Sequence, residues 1–133
     1  MGTRRNDVTA TMRRGLLLVA LMLVVPAQAA KQSAVPNRFG AIAYHRASQS
    51  WGVSYNAVRT RDASVEALRQ CGHSECEVIH KFKNGCAALA NGPKIHAVAS
   101  GATRAEAETK VTRQCVEKNR GASCNLIAWG CTR

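Results

Sequence analysis

The feature that most constrains this chain is a repeated cysteine pattern: Arg69-Gln70-Cys71 returns as Arg113-Gln114-Cys115, and each copy is followed by two further cysteines, Cys76 and Cys86 in the first, Cys124 and Cys131 in the second. A duplicated unit with six cysteines in a small chain reads as a disulfide framework when the protein is exported. An export signal precedes it. Arg13-Arg14, the apolar run Leu16 to Val25, Pro26 and the small-residue site Ala27-Gln28-Ala29 form the charged, apolar and cleavage regions of a secretory leader over residues 1–29. The run is about half the roughly 20 residues a membrane span needs, so no transmembrane segment is expected in the mature chain. Met12 onward is already a complete leader, so translation from either Met1 or Met12 fits. The cleavage site has no lipoprotein cysteine, and Arg13-Arg14 stands without the rest of a twin-arginine signal. A periplasmic or secreted location follows.

Loss of the leader removes four arginines and Asp7, leaving 15 basic and seven acidic side chains and a net charge of about +8. That size sets one small domain with a modest core. Large apolar side chains are sparse after the leader and alanine is abundant, so disulfides are expected to supply part of the stability. Each typically contributes about 2–4 kcal/mol. The basic excess suits an acidic partner, and it equally suits simple solubility.

Residues 30–38 are polar, contain Pro36 and lack periodicity, so they read as a flexible arm before a domain over 39–133. Phe39 to Tyr44 reads as a strand. Trp51, Val53 and Tyr55 alternate with Gly52 and Ser54, the period of a half-buried strand, and the link Arg46 to Ser50 makes the two a hairpin. Asp62 is expected to cap a helix that carries Val65, Leu68 and Cys71 on one face and stops at Gly72. Strand formers run from Cys76 to Phe82. The order then repeats. Cys86 to Ala90 and Ile95 to Ala99 flank the turn Asn91-Gly92-Pro93. Thr103-Arg104-Ala105-Glu106 is a capping box, Ala107, Val111 and Cys115 share a helical face, Gly121 ends it, and Cys124 to Trp129 is the last strand.

The fold class is therefore α+β: two pseudo-symmetric strand-strand-helix-strand repeats, 39–84 and 85–133, with both helices packed on a shared antiparallel sheet. Equivalent cysteines should behave alike. Cys71 with Cys76 and Cys115 with Cys124 each join a helix end to the next strand, which leaves Cys86 and Cys131 to meet across the pseudo-two-fold axis.

The alternating small-residue hairpin, the alanine-containing helix ending in cysteine, and the second cysteine opening a Val-Ile or Leu-Ile strand resemble the bacterial exported family catalogued as domain of unknown function 4189. The resemblance covers Phe39 to Arg133. It implies an exported small domain and brings no established catalytic residues.

Chemistry must then rest on the side chains. Cys71, His73, Cys76 and His80 offer two soft and two imidazole ligands within ten residues, but oxidised cysteines do not ligate, and the second repeat has no matching histidines. No metal and no cofactor are expected. The absence of a Cys-x-x-Cys pair argues against redox catalysis. His45, His80, His96 and Lys94 raise an alternative, a small secreted nuclease using histidine acid–base chemistry, though nothing in the sequence brings two histidines together. The favoured function is a non-enzymatic binding module, of an inhibitor or immunity-like kind, for an acidic protein or envelope component. Nucleic acid is the less favoured partner. The candidate contact residues are the loop cations Arg46, Arg59, Arg61, Lys81, Lys83 and Lys94. Tyr44, Trp51 and Tyr55 lie on the first hairpin and suit stacking, but the alternation assigns Trp51, Val53 and Tyr55 to a core face.

Overall fold

The computed structural model describes residues 34–133, so the leader expected over 1–29 and the start of the expected arm lie outside the described residues. The end of the arm is tied down: Asn84 accepts the Arg38 N–H at 2.9 Å and donates through Nδ2 to Asn37 at 2.7 Å.

Eight elements follow in two identical runs. The first comprises β1 (Phe39–His45), β2 (Ser50–Ala57), α1 (Thr60–Cys71) and β3 (Glu77–Lys83). The second comprises β4 (Cys86–Asn91), β5 (His96–Gly101), α2 (Arg104–Lys118) and β6 (Asn125–Cys131). All strand pairs are antiparallel, and each repeat keeps its own sheet, in the orders β2-β1-β3 and β5-β4-β6. The α+β class and repeat order are as the sequence implies, but the shared sheet is replaced by two. The reason lies in the central strands, which are buried on both faces. Ala41 and Ala43 of β1 meet α1, while Ile42 and Tyr44 meet the other sheet. In β4, Ala88 and Ala90 meet α2, while Ala87 and Leu89 meet the first sheet. A central strand with two apolar faces needs a layer on each side. The result is helix, sheet, sheet, helix. Both repeats also carry a bulge at the same place, between Ile42 and Ala43 and between Leu89 and Ala90.

The helices show how small residues set the packing. α2 begins as expected, with Thr103 Oγ1 accepting the Glu106 N–H at 3.2 Å and Glu106 reaching back to the Ala102 N–H at 2.9 Å. Its buried stripe is Ala107, Val111 and Cys115. α1 departs from expectation. Arg59 holds the N-cap position, and Asp62 sits in the first turn, where it accepts from Arg59 Nε at 3.1 Å. The buried stripe is Ala63, Ala67 and Cys71, not Val65, Leu68 and Cys71; Val65 is 59% exposed. Gly52 explains the rotation: a Cβ there would overlap the Ala67 carbonyl oxygen, so the helix backbone lies directly on the strand and only alanine fits between them. Gly72 ends α1 in the left-handed region at φ 68°.

Three disulfides join Cys71–Cys76, Cys115–Cys124 and Cys86–Cys131, with Cα separations of 6.3, 6.1 and 4.0 Å. The first two staple each helix end to the following strand. The third does not cross the pseudo-axis. Cys86 and Cys131 face each other on β4 and β6, inside the second repeat, where the first repeat has Phe39 opposite Lys83. Three disulfides fit an extracellular or periplasmic location. Among the described residues no helix is long and apolar enough to cross a membrane.

Candidate functional site

The outer strands β2 and β6 run beside each other at one margin of the two-sheet stack, and their side chains leave a groove there. Tyr55, Asn56, Trp129, Gly130, Cys131 and Arg133 line it, with a volume of about 460 Å³. Tyr55 and Trp129 are 59% and 43% exposed. The Arg133 N–H donates to Asn56 Oδ1 at 2.7 Å, which ties the last residue to the groove's rim. Arg104 stacks its guanidinium 3.8 Å above the Trp129 ring while its Nε donates to Glu108, so a cation and an aromatic face are held together.

Trp51 and Tyr55 are thus not a core face, contrary to the reading from alternation. Val53 alone is buried from that row, against Phe82 and Ala128. β2 is an outer strand of its sheet, and the apposed sheet covers its centre but not its ends. Trp129, Arg104 and Arg133 carried no periodic signal at all. The local clue is that Trp129 sits between Ala128 and Gly130, two residues too small to shield a large neighbour.

The six loop cations are dispersed. Arg46 spends its guanidinium on the opposite hairpin, donating to Asn91 Oδ1 at 3.1 Å, the Gly92 carbonyl at 3.3 Å and the Pro93 carbonyl at 3.1 Å. It acts as a clamp between repeats. Lys94 is exposed on that same turn. Arg59 and Arg61 are exposed at the start of α1, with Arg59 paired to Asp62. Lys81 and Lys83 are exposed on β3, opposite Ala41 and Phe39. The strand register places Lys83, Phe39 and Ala57 side by side, so Lys83 shares one end of the first repeat with the start of α1.

The four histidines fall in three environments. His80 Nε2 bonds Ser100 Oγ at 2.5 Å between the two sheets, and partial burial lowers its pKa. His96 meets Tyr44 edge-on at 5.2 Å; burial lowers its pKa, helped by the Arg46 and Lys118 charges. Burial also raises the Tyr44 phenol, against the pull of Arg46. His45 and His73 are brought together, their rings stacked at 4.2 Å with Glu75 beside them, a juxtaposition that no local spacing announces. The quartet of Cys71, His73, Cys76 and His80 does not assemble. Its cysteines are bonded to each other, and His80 faces Ser100.

The fold and its staples define a disulfide-linked domain of two β-β-α-β repeats. The chain belongs to the family described as Domain of unknown function (DUF4189), which matches residues 39–131. Protein Rv1269c of Mycobacterium tuberculosis (strain ATCC 25618 / H37Rv) and Protein Mb1300c of Mycobacterium bovis are each 35% identical over 69 residues, 52% of this chain and 54% of theirs. The chain thus spans about half the length of the curated relatives it matches. The NMR structure of Rv1813c from Mycobacterium tuberculosis aligns with a TM-score of 0.52 over 98% of both chains at 21% identity, a likeness of fold.

Proposed function

We propose that this protein is a non-catalytic binding domain of the periplasm or exterior that takes an acidic partner along the groove between β2 and β6. The observation that carries this reading is the pair of exposed aromatics, Tyr55 and Trp129, lining one groove with Arg133, with the Arg104 guanidinium stacked on the Trp129 ring. Exposed aromatics beside cations are the composition of a contact surface, since Tyr, Trp and Arg contribute most at interfaces. Arg59, Arg61 and Lys83, gathered at one end of the first repeat, add a positive field that steers an acidic partner toward the domain. Arg46 takes no part, because its donors are engaged within the fold.

Titration with polyglutamate, followed by the fluorescence of Trp129 in a Trp51→Phe background, tests the reading. A saturable change is expected, weakening several-fold as salt rises from about 50 to about 300 mM, because screening shortens the reach of exposed charges. Tyr55→Ala and Arg133→Glu should each weaken it further. Affinity indifferent to salt and to both substitutions would remove the groove from consideration. Turnover of RNA, DNA or peptidoglycan by the oxidised domain, lost on replacing a histidine, would favour the hydrolase instead.

A further inference from the structure

We infer that His45, His73 and Glu75 form a binding site for one borderline divalent transition-metal ion of the Zn(II) and Cu(II) class. One ligand atom from each of the three side chains lies within 4.8 Å of the other two. Two imidazoles and a carboxylate are the donor set such ions favour, and a site with three protein ligands keeps a coordination position open to solvent. The site is separate from the aromatic groove and does not depend on it.

Two local frameworks present the donors. His73 and Glu75 both lie in the short loop closed by Cys71–Cys76, tightened by a turn in which the Cys76 N–H donates to the His73 carbonyl at 3.1 Å. His45 ends β1 and is oriented from behind. Its Nδ1 meets Ser48 Oγ at 2.7 Å, and Ser48 passes its own hydrogen to Ser50 Oγ at 2.9 Å. With Ser48 accepting from Nδ1–H, Nε2 is the nitrogen left to ligate. That atom lies 3.5 Å from Glu75 Oε2. A cation between them is held by the imidazole nitrogen and the carboxylate together. This is the outer-shell pattern by which metal-binding histidines are held in tautomer and direction.

His73 Nδ1 accepts the Glu75 N–H at 3.1 Å, so its lone pair also points to the Glu75 side, and ligation exchanges that hydrogen bond for a coordinate bond. Tetrahedral coordination at bond lengths of about 2.0–2.1 Å sets donors roughly 3.4 Å apart, so the cluster must tighten by about an ångström. His45 Nε2 and Glu75 Oε2 already stand at about that spacing, 3.5 Å, so the movement falls to His73, whose ring must turn out of its 4.2 Å stack on His45 to aim an in-plane lone pair at the ion.

The test is calorimetric titration of the purified, oxidised protein with ZnCl₂ and, separately, CuCl₂, alongside NMR of the histidine ring protons. One ion per chain is expected, with the His45 and His73 signals perturbed together and those of His80 and His96 unmoved. His45→Gln and His73→Gln should each weaken binding at least about tenfold, and Ser48→Ala by less, since it acts only by orienting His45. His80→Gln should leave affinity unchanged. The wild-type NMR pattern decides the matter even where a substitution disturbs folding. No saturation below about 100 μM of either ion, or saturation that leaves the His45 and His73 signals in place, would overturn the site.

Discussion

In the second repeat, the turn between β4 and β5 is locked to the end of α2 by Asn119; in the first, the same junction is bridged by His45 stacked on His73. Asn119 is 4% exposed and fully engaged. Its Oδ1 accepts the Lys94 and Ile95 N–H groups at 2.9 and 3.1 Å, and its Nδ2 donates to the Ile95 and Cys115 carbonyls at 2.9 and 2.7 Å. Gly92 faces it, and a Cβ there would overlap the amide. The strand register sets His45 in the place of Gly92, and the loop after Cys71 sets His73 and Glu75 near the place of Asn119. One junction is a closed polar seal and the other an open set of titratable donors. The seal ties the second turn to its helix through a fully bonded amide, while the first junction carries the three donors of the proposed ion site.

The comparison extends to the helices, where the largest effect is expected. Gly52 with Ala67 in the first repeat corresponds to Ala97 with Val111 in the second, so the first helix is packed backbone to strand and tolerates no added atom. Gly52→Ala should cost about 3 kcal/mol, at the upper end of overpacking penalties because the overlapping atoms are backbone. The opposite change in the other repeat, Ala97→Gly, should cost about 1 kcal/mol through lost packing and added chain entropy. Urea unfolding at unchanged slope measures both. Equal costs would mean that the two helix seats are mechanically alike.

The junctions are broken next. Asn119→Ala leaves the Lys94 and Ile95 N–H groups without their acceptor in a part-buried site, and should lower stability by about 2 kcal/mol in the same assay. Glu75→Ala, at the corresponding open junction, should stay within about 0.5 kcal/mol. A comparable loss at Glu75 would make the first junction structural and weaken the case that it is available to an ion.

The repeat was legible because cysteines, capping residues and turn glycines act locally: Thr103 with Glu106, Gly72 and the Asn91-Gly92-Pro93 turn are where the residues placed them. The two local cysteine pairs followed from equivalence and Cys86–Cys131 from elimination, although the reason for that third pair is adjacency on β4 and β6 within one repeat. What was hidden depends on which layer covers which face. Val65 and Leu68 outrank Ala63 and Ala67 in hydrophobicity, yet the bare backbone at Gly52 selects the alanines. Trp51 and Tyr55 follow a core period on a strand too marginal to be covered. Of the candidate sites, only Tyr55 was singled out in the groove, and His45 and His73 were visible as residues but not as neighbours, since their contact joins a strand end to a disulfide loop.

Acid should act on both repeats through their partly buried imidazoles. Burial lowers the pKa of His80 and of His96, so the folded protein holds fewer protons than the unfolded chain between the depressed values and the ordinary value of about 6.5. Their contribution is fully present above about pH 6.5 and is lost as pH falls through the folded pKa values. Thermal unfolding midpoints should therefore drop between about pH 7 and pH 5. His80 occupies the place of Ala128 in the other repeat, so His80→Ala should flatten part of this slope. A midpoint independent of pH over that range would show both rings to be solvated.

A gain instead of a loss is expected at Tyr44, in the layer between the sheets. Its symmetry mate is Asn91, which spends its side-chain oxygen on Arg46, whereas the Tyr44 hydroxyl and the neighbouring His96 Nδ1 are buried without hydrogen-bond partners. A buried hydroxyl with no partner costs desolvation and returns nothing, so its removal should not destabilise the fold. Tyr44→Phe keeps the ring against Ile42 and Leu89 and is expected to raise stability by up to about 1 kcal/mol in urea unfolding. A loss of about 1 kcal/mol or more would mean that the hydroxyl is satisfied in solution, and the inter-repeat layer would then be polar at Tyr44 as it is at Asn91.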